Sequence, residues 1–444
     1  MKGTLLEGNI RRQLISLATP LLLGNILQQL YNTVDSLIIG RFMGTEAFSA
    51  VGVAGTIMNL FIFVLTGFCT GVSVIFAQTY GSGDRSAFRR ETFVSITLGA
   101  GITIFLSALF MLLLRPILVM IQSPAELIPY IESYLRVIIG GMIATYFYNL
   151  FSSMLRAIGD TRAATFFLFI AVAVNAVVDY IFVAMLGMGI AGAAWATVLS
   201  QLLSAVLCLI YLFRRDRDLL CTRYECHFEK SLVKRTLVFG FSSALHQSSL
   251  YIGKIFVQGA VNTLGTPGIA AYTATMRVEG FANSIGTSAG QALSVFVSQN
   301  YGAKNNDRVK RGIRQGMGIN IVMGAVFSVI MFVTARAGMN IFLDPSETQA
   351  ISYGVEYMRQ ISIFYILCFT GNSFVGIFRG VGRIYVPIFA TLTHISIRVA
   401  LSYLLAPALG LRAVALATGI GWMAMTVYQL IMLRDTNRRL RGNV

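Results

Sequence analysis

The stretch "SVIFAQTYG" at residues 73–81 returns as "SVFVSQNYG" at residues 294–302, an offset of 221. Two more segments return at an offset of 223: "YIESYLR" (130–136) as "YGVEYMR" (353–359), and "LRAIG" (155–159) as "FRGVG" (378–382). Several segments agreeing at nearly one offset mark an internal duplication. The fold is then decided by what each copy contains.

Each copy contains membrane-length helices. The chain is 56% hydrophobic and 12% charged, with a mean hydropathy of +0.71. A soluble globular protein carries about 25% charged residues. Apolar runs of about 20 residues, enough to cross about 30 Å of hydrocarbon, recur along the whole length. They predict twelve helices: 13–39, 48–78, 92–114, 127–154, 164–186, 190–213, 234–262, 269–298, 313–335, 349–378, 386–406 and 412–433. The expected fold is an all-α membrane protein of twelve transmembrane helices in two six-helix pseudo-symmetric lobes. The expected lobes are 1–213 and 234–444, joined by a polar cytoplasmic linker, 214–233.

Charge sets the orientation. With both termini in the cytoplasm, 26 Lys and Arg lie on the inner side and four (Arg41, Arg115, Arg336, Arg412) on the other; five lie within spans. Such a bias orients membrane proteins, and here it puts both termini in the cytoplasm and favours an even number of spans; the expected location is a cytoplasmic (inner) membrane. The net charge of +16 does not indicate nucleic acid, because the basic residues sit between apolar runs. The N-terminus, "MKGTLLEGNIRRQLISLATP", is expected to carry no cleavable signal, since its apolar run continues to Ile39. Among five cysteines, "CTRYECH" (221–227) offers two thiols and an imidazole, one ligand short of a structural zinc site, and reads as an ordinary loop.

Six spans per copy give both copies one membrane orientation. That is a parallel repeat about an axis along the membrane normal, an arrangement in which transporter halves rock around a cavity. The polar residues inside the spans are not spread evenly. In "LQQLYNTVDSLIIG" (27–40), Gln28, Asn32 and Asp35 are spaced i, i+4, i+7 on one face, with Tyr31 beside them. In "NAVVD", Asn175 and Asp179 are again i, i+4. An Asp at mid-helix costs about 2.5–3.5 kcal/mol on insertion scales, so each should face a protein interior or a wet cavity. Two carboxylates sharing a pocket would repel one another, and would take up a proton near neutral pH or hold a small cation.

The second copy lacks this set: the repeat partners of Asp35, Asn175 and Asp179 are Phe256, Arg398 and Ser402. Its own intramembrane polar residues are His246, Arg277, Glu279, His394 and Arg398. Arg277 and Glu279, two apart, do not share a helix face and are expected to meet different helices. Pro20 lies inside the first span and predicts a bend there. "GMGIAG" (187–192) fits a dinucleotide-binding pattern but joins two membrane helices, so its glycines read as a tight turn and close packing. "GFCTG" (67–71) and "GTSAG" (286–290) read as close helix contacts. No nucleophile–base set, phosphate loop or metal-ligand cluster is apparent in the sequence, so neither an enzyme nor a cofactor is expected.

These residues resemble the multidrug and toxic compound extrusion (MATE) family, and within it the DinF-like branch. The resemblance rests on "QQLYNTVDSLIIGRFMG", "AQTYG" and "NAVVD" in a twelve-span, two-half frame covering almost the whole chain. It implies a secondary antiporter that exports organic cations or amphipathic compounds in exchange for H+ or Na+ by alternating access. It further implies that Asp35, Asn175, Asp179 and Thr197 form the proton or Na+ site. Gln28, Tyr31, Asn32, Tyr134 and Asn149 would be the cavity and substrate network, and Pro20 the hinge. The expected partners are small amphipathic or cationic substrates and membrane lipid, with a monomer sufficient. A flippase for lipid-linked sugars is the alternative, and would want cationic residues in its cavity.

Overall fold

The computed structural model describes residues 5–120, 124–221 and 223–442; the side chains of Asn32, Ser36, Leu37, Thr45, Glu46, Phe48, Ser49, Arg223, Arg441 and Gly442 lie outside that description. Among the described residues the regular structure is helical throughout. In chain order the helices are α1 Ile10–Gly44, α2 Ala50–Gly81, α3 Arg85–Met120, α4 Ile128–Gly140, α5 Met142–Ala157 and α6 Thr161–Asp179. After a π-helical turn, Tyr180–Met185, come α7 Gly189–Arg215, α8 Lys230–Asn262, α9 Gly265–Gly302 and α10 Asn306–Val333. The last are α11 Ala335–Phe342, α12 Thr348–Ser362, α13 Tyr365–Gly380, α14 Tyr385–Leu409 and α15 Leu411–Gly442.

Eight of these helices are long and apolar enough to cross a membrane on their own. Two more spans are broken: α4 and α5 meet at 47°, and α12 and α13 at 55°. The predicted single helices 127–154 and 349–378 are therefore each two helices. The two breaks fall at corresponding places in the repeat. At the first, the backbone N–H of Gly141 turns back to the Val137 carbonyl, and a Cβ on Gly141 would sit 2.2 Å from a Val198 methyl carbon. Glycine at the break leaves room for the Val198 side chain of α7 against the backbone there. With α8 and α9, which are of membrane length but more polar, the spans number twelve.

The chain forms two compact units. One is Leu23–Ala244; the other is Met1–Leu22 with Leu245–Val444. The unit boundaries fall inside α1 and inside α8. In the first unit, α7 packs on α4, α5 and α6 around a core that includes Phe68, Phe76, Tyr146 and Met154. In the second, α13 packs against α9 and α10, and α14 against α15. There the first turns of α1 are held as core: Leu14, Leu17 and Leu21 join Phe296, Phe374 and Phe378. Arg308 fastens the chain just before them. It donates to the carbonyls of Leu5, Glu7 and Gly8 and to the Gln13 side-chain oxygen, at 2.7–3.0 Å.

Glycine sets the closest contacts. A Cβ on Gly71 of α2 would lie 2.0 Å from the Phe239 carbonyl oxygen of α8, and one on Gly67 2.6 Å from the Ala244 Cα. In the second unit a Cβ on Gly290 of α9 would lie 2.5 Å from the Asn372 carbonyl oxygen of α13. Both motifs read as close contacts in the sequence thus bring backbone onto backbone. In "GMGIAG", Gly187 and Gly189 have φ of 61° and 68°, a region that favours glycine, so this is a turn.

Between α7 and α8 the Cys221 and Cys226 sulfurs lie 3.0 Å apart. No group of three His, Cys, Asp or Glu able to hold a metal occurs among the described residues. Burial, with a contribution from the Cys226 contact, pushes the Cys221 thiol up to about 12. The thiolate is the reactive form, so at pH 7 Cys221 should react with maleimide far more slowly than an unperturbed thiol. Its rate should still climb above pH 9. Rapid labelling of Cys221 at pH 7, read by mass spectrometry, would contradict this local structure.

Candidate functional site

The site is built from four helices of the unit Leu23–Ala244. On α1, the one-turn spacing of Tyr31 and Asp35 turns both inward, and they are 7% exposed each. On α6, Asn175 and Asp179 are likewise one turn apart, 1% and 0% exposed. Asp179 is the last α-helical residue before the π-helical turn, Tyr180–Met185. Such a turn changes the direction of successive side chains and often occurs at functional sites. The α7 helix contributes Thr197 and Ser200, and α4 contributes Tyr134.

The Asp35 and Asp179 carboxyl groups lie close enough to act on each other directly, and Asn175 reaches Asp179. Tyr31 sits within reach of Thr197 and Ser200 and feels both carboxylates. Tyr134, 2% exposed, closes the other side and feels Asp35, Asp179 and Tyr31; its hydroxyl donates to the Met58 sulfur at 3.8 Å. No ion pair with Lys or Arg is formed by Asp35 or Asp179 among the described residues.

Hydrogen bonding is left incomplete here. Asp35 Oδ1, both Asp179 oxygens, Asn175 Nδ2 and the Tyr31 hydroxyl are buried with no partner among the described residues. Buried polar groups are nearly always satisfied, and a buried charge must be paired. Two buried carboxyl groups without a basic partner can meet that requirement in two ways. They can share a proton, or they can hold a small cation with the hydroxyl and amide oxygens around them.

The other sequence candidates behave differently. Gln28 is exposed on α1. The Asn149 amide donates to the Thr145 carbonyl of its own helix at 2.8 Å. The Asn32 side chain lies outside the described residues. Pro20 is buried, and the only non-helical backbone within Ile10–Gly81 is at Gly44 (φ 82°), not at Pro20. Ser200 and Met58 were missed: Ser200 sits one turn after Thr197 on the same face, a signal the sequence offered.

The fold is that of a twelve-span membrane transport protein made of two related halves. A family model described as MatE matches residues 20–181 and 242–404. The chain belongs to the MatE family, the multidrug efflux transporters, and is a transport protein rather than an enzyme. It is 28% identical over 420 residues to a probable multidrug resistance protein of Bacillus subtilis, YpnP, covering 94% of this chain and 93% of that one. It is 26% identical to a probable multidrug resistance protein of Thermotoga maritima, NorM, over 87% and 83% of the two chains. Among solved structures, an outward-facing MATE transporter of the MOP superfamily superposes with a TM-score of 0.91 at 22% identity, covering 98% of each chain. A MATE crystal structure in a bent conformation gives 0.92 at 22% identity, over 99% and 98%.

Proposed function

We propose that the chain is an ion-driven antiporter of the DinF-like branch, exporting organic cations or amphipathic compounds across a cytoplasmic membrane with both termini inside. The observation that carries this reading is the buried Asp35–Asp179 pair, unpaired with any cation and ringed by Asn175, Thr197, Tyr31 and Tyr134. Uptake of H+ or Na+ there removes a charge imbalance inside the protein. Release restores it. A transporter can use that difference to favour one of two states, provided the ion binds them unequally. The halves 1–213 and 234–444, joined by 214–233, are the alternating parts, and Pro20 is the hinge that lets α1 follow the state of Asp35. Gln28, Asn32 and Asn149 belong to the wider cavity. No cofactor is required beyond the coupling ion.

The test is efflux of a fluorescent organic cation from proteoliposomes under an imposed proton or Na+ gradient. The reading expects efflux that follows one gradient and collapses when that gradient is dissipated. Efflux indifferent to both gradients would remove the antiport step.

A further inference from the structure

The unit Met1–Leu22 with Leu245–Val444 holds a second group of ionisable residues within the membrane spans, outside the Asp35–Asp179 site. Lys254 is on α8, Glu279 on α9 and Arg398 on α14. Lys254 feels the charges of both Arg398 and Glu279, and Glu279 and Arg398 act on each other. The approach of α8 to α14 has a local cause: a Cβ on Gly253 would lie 2.8 Å from an Ile395 methyl carbon. Lys254 follows Gly253 directly and Arg398 lies three residues after Ile395.

Three buried tyrosines lie beside these residues. The Tyr365 hydroxyl donates to Glu279 Oε2 at 2.9 Å. Arg398 Nη2 donates to the Tyr272 hydroxyl at 3.2 Å. The Tyr357 side chain, 0% exposed, turns toward Glu279 without completing a hydrogen bond. Glu279 and Arg398 are half-buried, and Lys254 is exposed.

The charges do not cancel. Two cations face one carboxylate, and no ion pair joins any of the three among the described residues. Arg398 Nε, Glu279 Oε1 and the Tyr357 hydroxyl are buried without partners among the described residues. An ionisable residue at membrane depth is costly, and such residues mark ligand paths. An excess cation beside a free guanidinium N–H matches an oxyanion, which accepts charge-assisted bonds from both Arg and Lys. The other unit has the reverse balance at its site, and Arg398 occupies the repeat position of Asn175.

We infer that Arg398 and Lys254 form a binding subsite for an oxyanion, a carboxylate, sulfonate or phosphate group on a transported amphiphile. Glu279 stands beside it as a competing carboxylate held back by Tyr365. The carried compounds then include anionic and zwitterionic amphiphiles as well as cations. This rests on the transport reading above.

The test uses purified full-length protein and two probes: a rhodamine dye with a free carboxylate, and its methyl ester. Equilibrium binding is read by fluorescence anisotropy. Arg398→Gln and Lys254→Gln should each weaken the carboxylate dye by at least about tenfold and leave the ester nearly unchanged. Glu279→Gln should tighten the carboxylate dye, an outcome that a purely structural role would not produce. Arg398→Lys, which keeps the charge, guards against a folding defect. Titration with phosphate or chloride distinguishes the two sources of an anion: a small ion that binds there displaces the carboxylate dye at millimolar concentration without moving the ester. Such displacement, with no export of the carboxylate dye from vesicles, would assign the subsite to a solution anion and overturn the proposal. Equal loss of both dyes, or of neither, would also overturn it. If the ester shows no gradient-driven export, the antiport reading fails separately, since binding does not depend on a gradient.

Discussion

Asp35→Asn should sharply reduce ion-driven efflux while leaving a folded protein. Asn has nearly the shape of Asp, so the packing against Asp179 is kept, but it cannot take up a proton or neutralise a cation. Asp35 is 7% exposed and lies directly against Asp179. Removing one carboxylate therefore removes the repulsion that makes ion uptake favourable. The two sites of an antiporter are tied by a coupling energy of about 1–3 kcal/mol, which corresponds to roughly 5–150-fold. Gradient-driven efflux should fall by that order. Dye binding in detergent should change little, because the substrate is not expected to need the carboxylate itself. The double variant with Asp179→Asn should be no worse than either single one, since neighbouring groups that act as a unit are not additive. Full gradient-driven transport by Asp35→Asn in vesicles would take the pair out of the mechanism.

Gly71→Val should strongly destabilise the unit Leu23–Ala244. The new Cβ would lie 2.0 Å from the Phe239 carbonyl oxygen and 2.5 Å from its carbonyl carbon. These are backbone atoms of a helix and cannot swing aside as a side chain would. Overpacking costs about 1–3 kcal/mol and occasionally more, against a total stability of about 5–15 kcal/mol for a typical protein. The contact here also fixes how α8 docks on α2, so the upper end is expected. The matched control is Gly101→Val on α3, where nothing lies within 4 Å. Thermal unfolding in detergent should show a large drop for the first and almost none for the second. Equal melting temperatures would mean that α2 and α8 are further apart than described.

Much of this was legible in the sequence, for reasons that can be named. Spans announce themselves by length and apolarity, and even α8 and α9, more polar than the others, were found as apolar runs at 234–262 and 269–298. The i, i+4 pairing of Asn175 with Asp179, and of Tyr31 with Asp35, gave the carboxylate site, because helix periodicity fixes which residues share a face. The breaks at Gly141 and near Phe364 were not legible. Neither contains proline, and each depends on what the neighbouring helix requires. Ser200 lies one turn after Thr197 but was passed over, because a serine in a small-residue helix normally signals packing. Tyr272, Tyr357 and Tyr365 were hidden in the same way: a tyrosine in an apolar span looks like core until its hydroxyl is placed. Glu279 meets Tyr365 on α13, a partner that its position two residues from Arg277 did not identify, and nothing local pointed to Lys254.

The membership of the two compact units has a further consequence. The segment Met1–Leu22 belongs with Leu245–Val444, and the α8 residues up to Ala244 belong with Leu23 onward. If a protease severed the chain in the polar loop between α7 and α8, the two products would not be independent lobes. Each fragment would keep one helix end folded into the other's core. The first would be anchored through Leu14, Leu17 and Leu21 and the Arg308 clamp, the second through the Gly67 and Gly71 contacts with α8. The connecting loop is thus not what holds the molecule together; the swapped helix ends are, and a transporter expressed as two separate pieces has the means to reassemble.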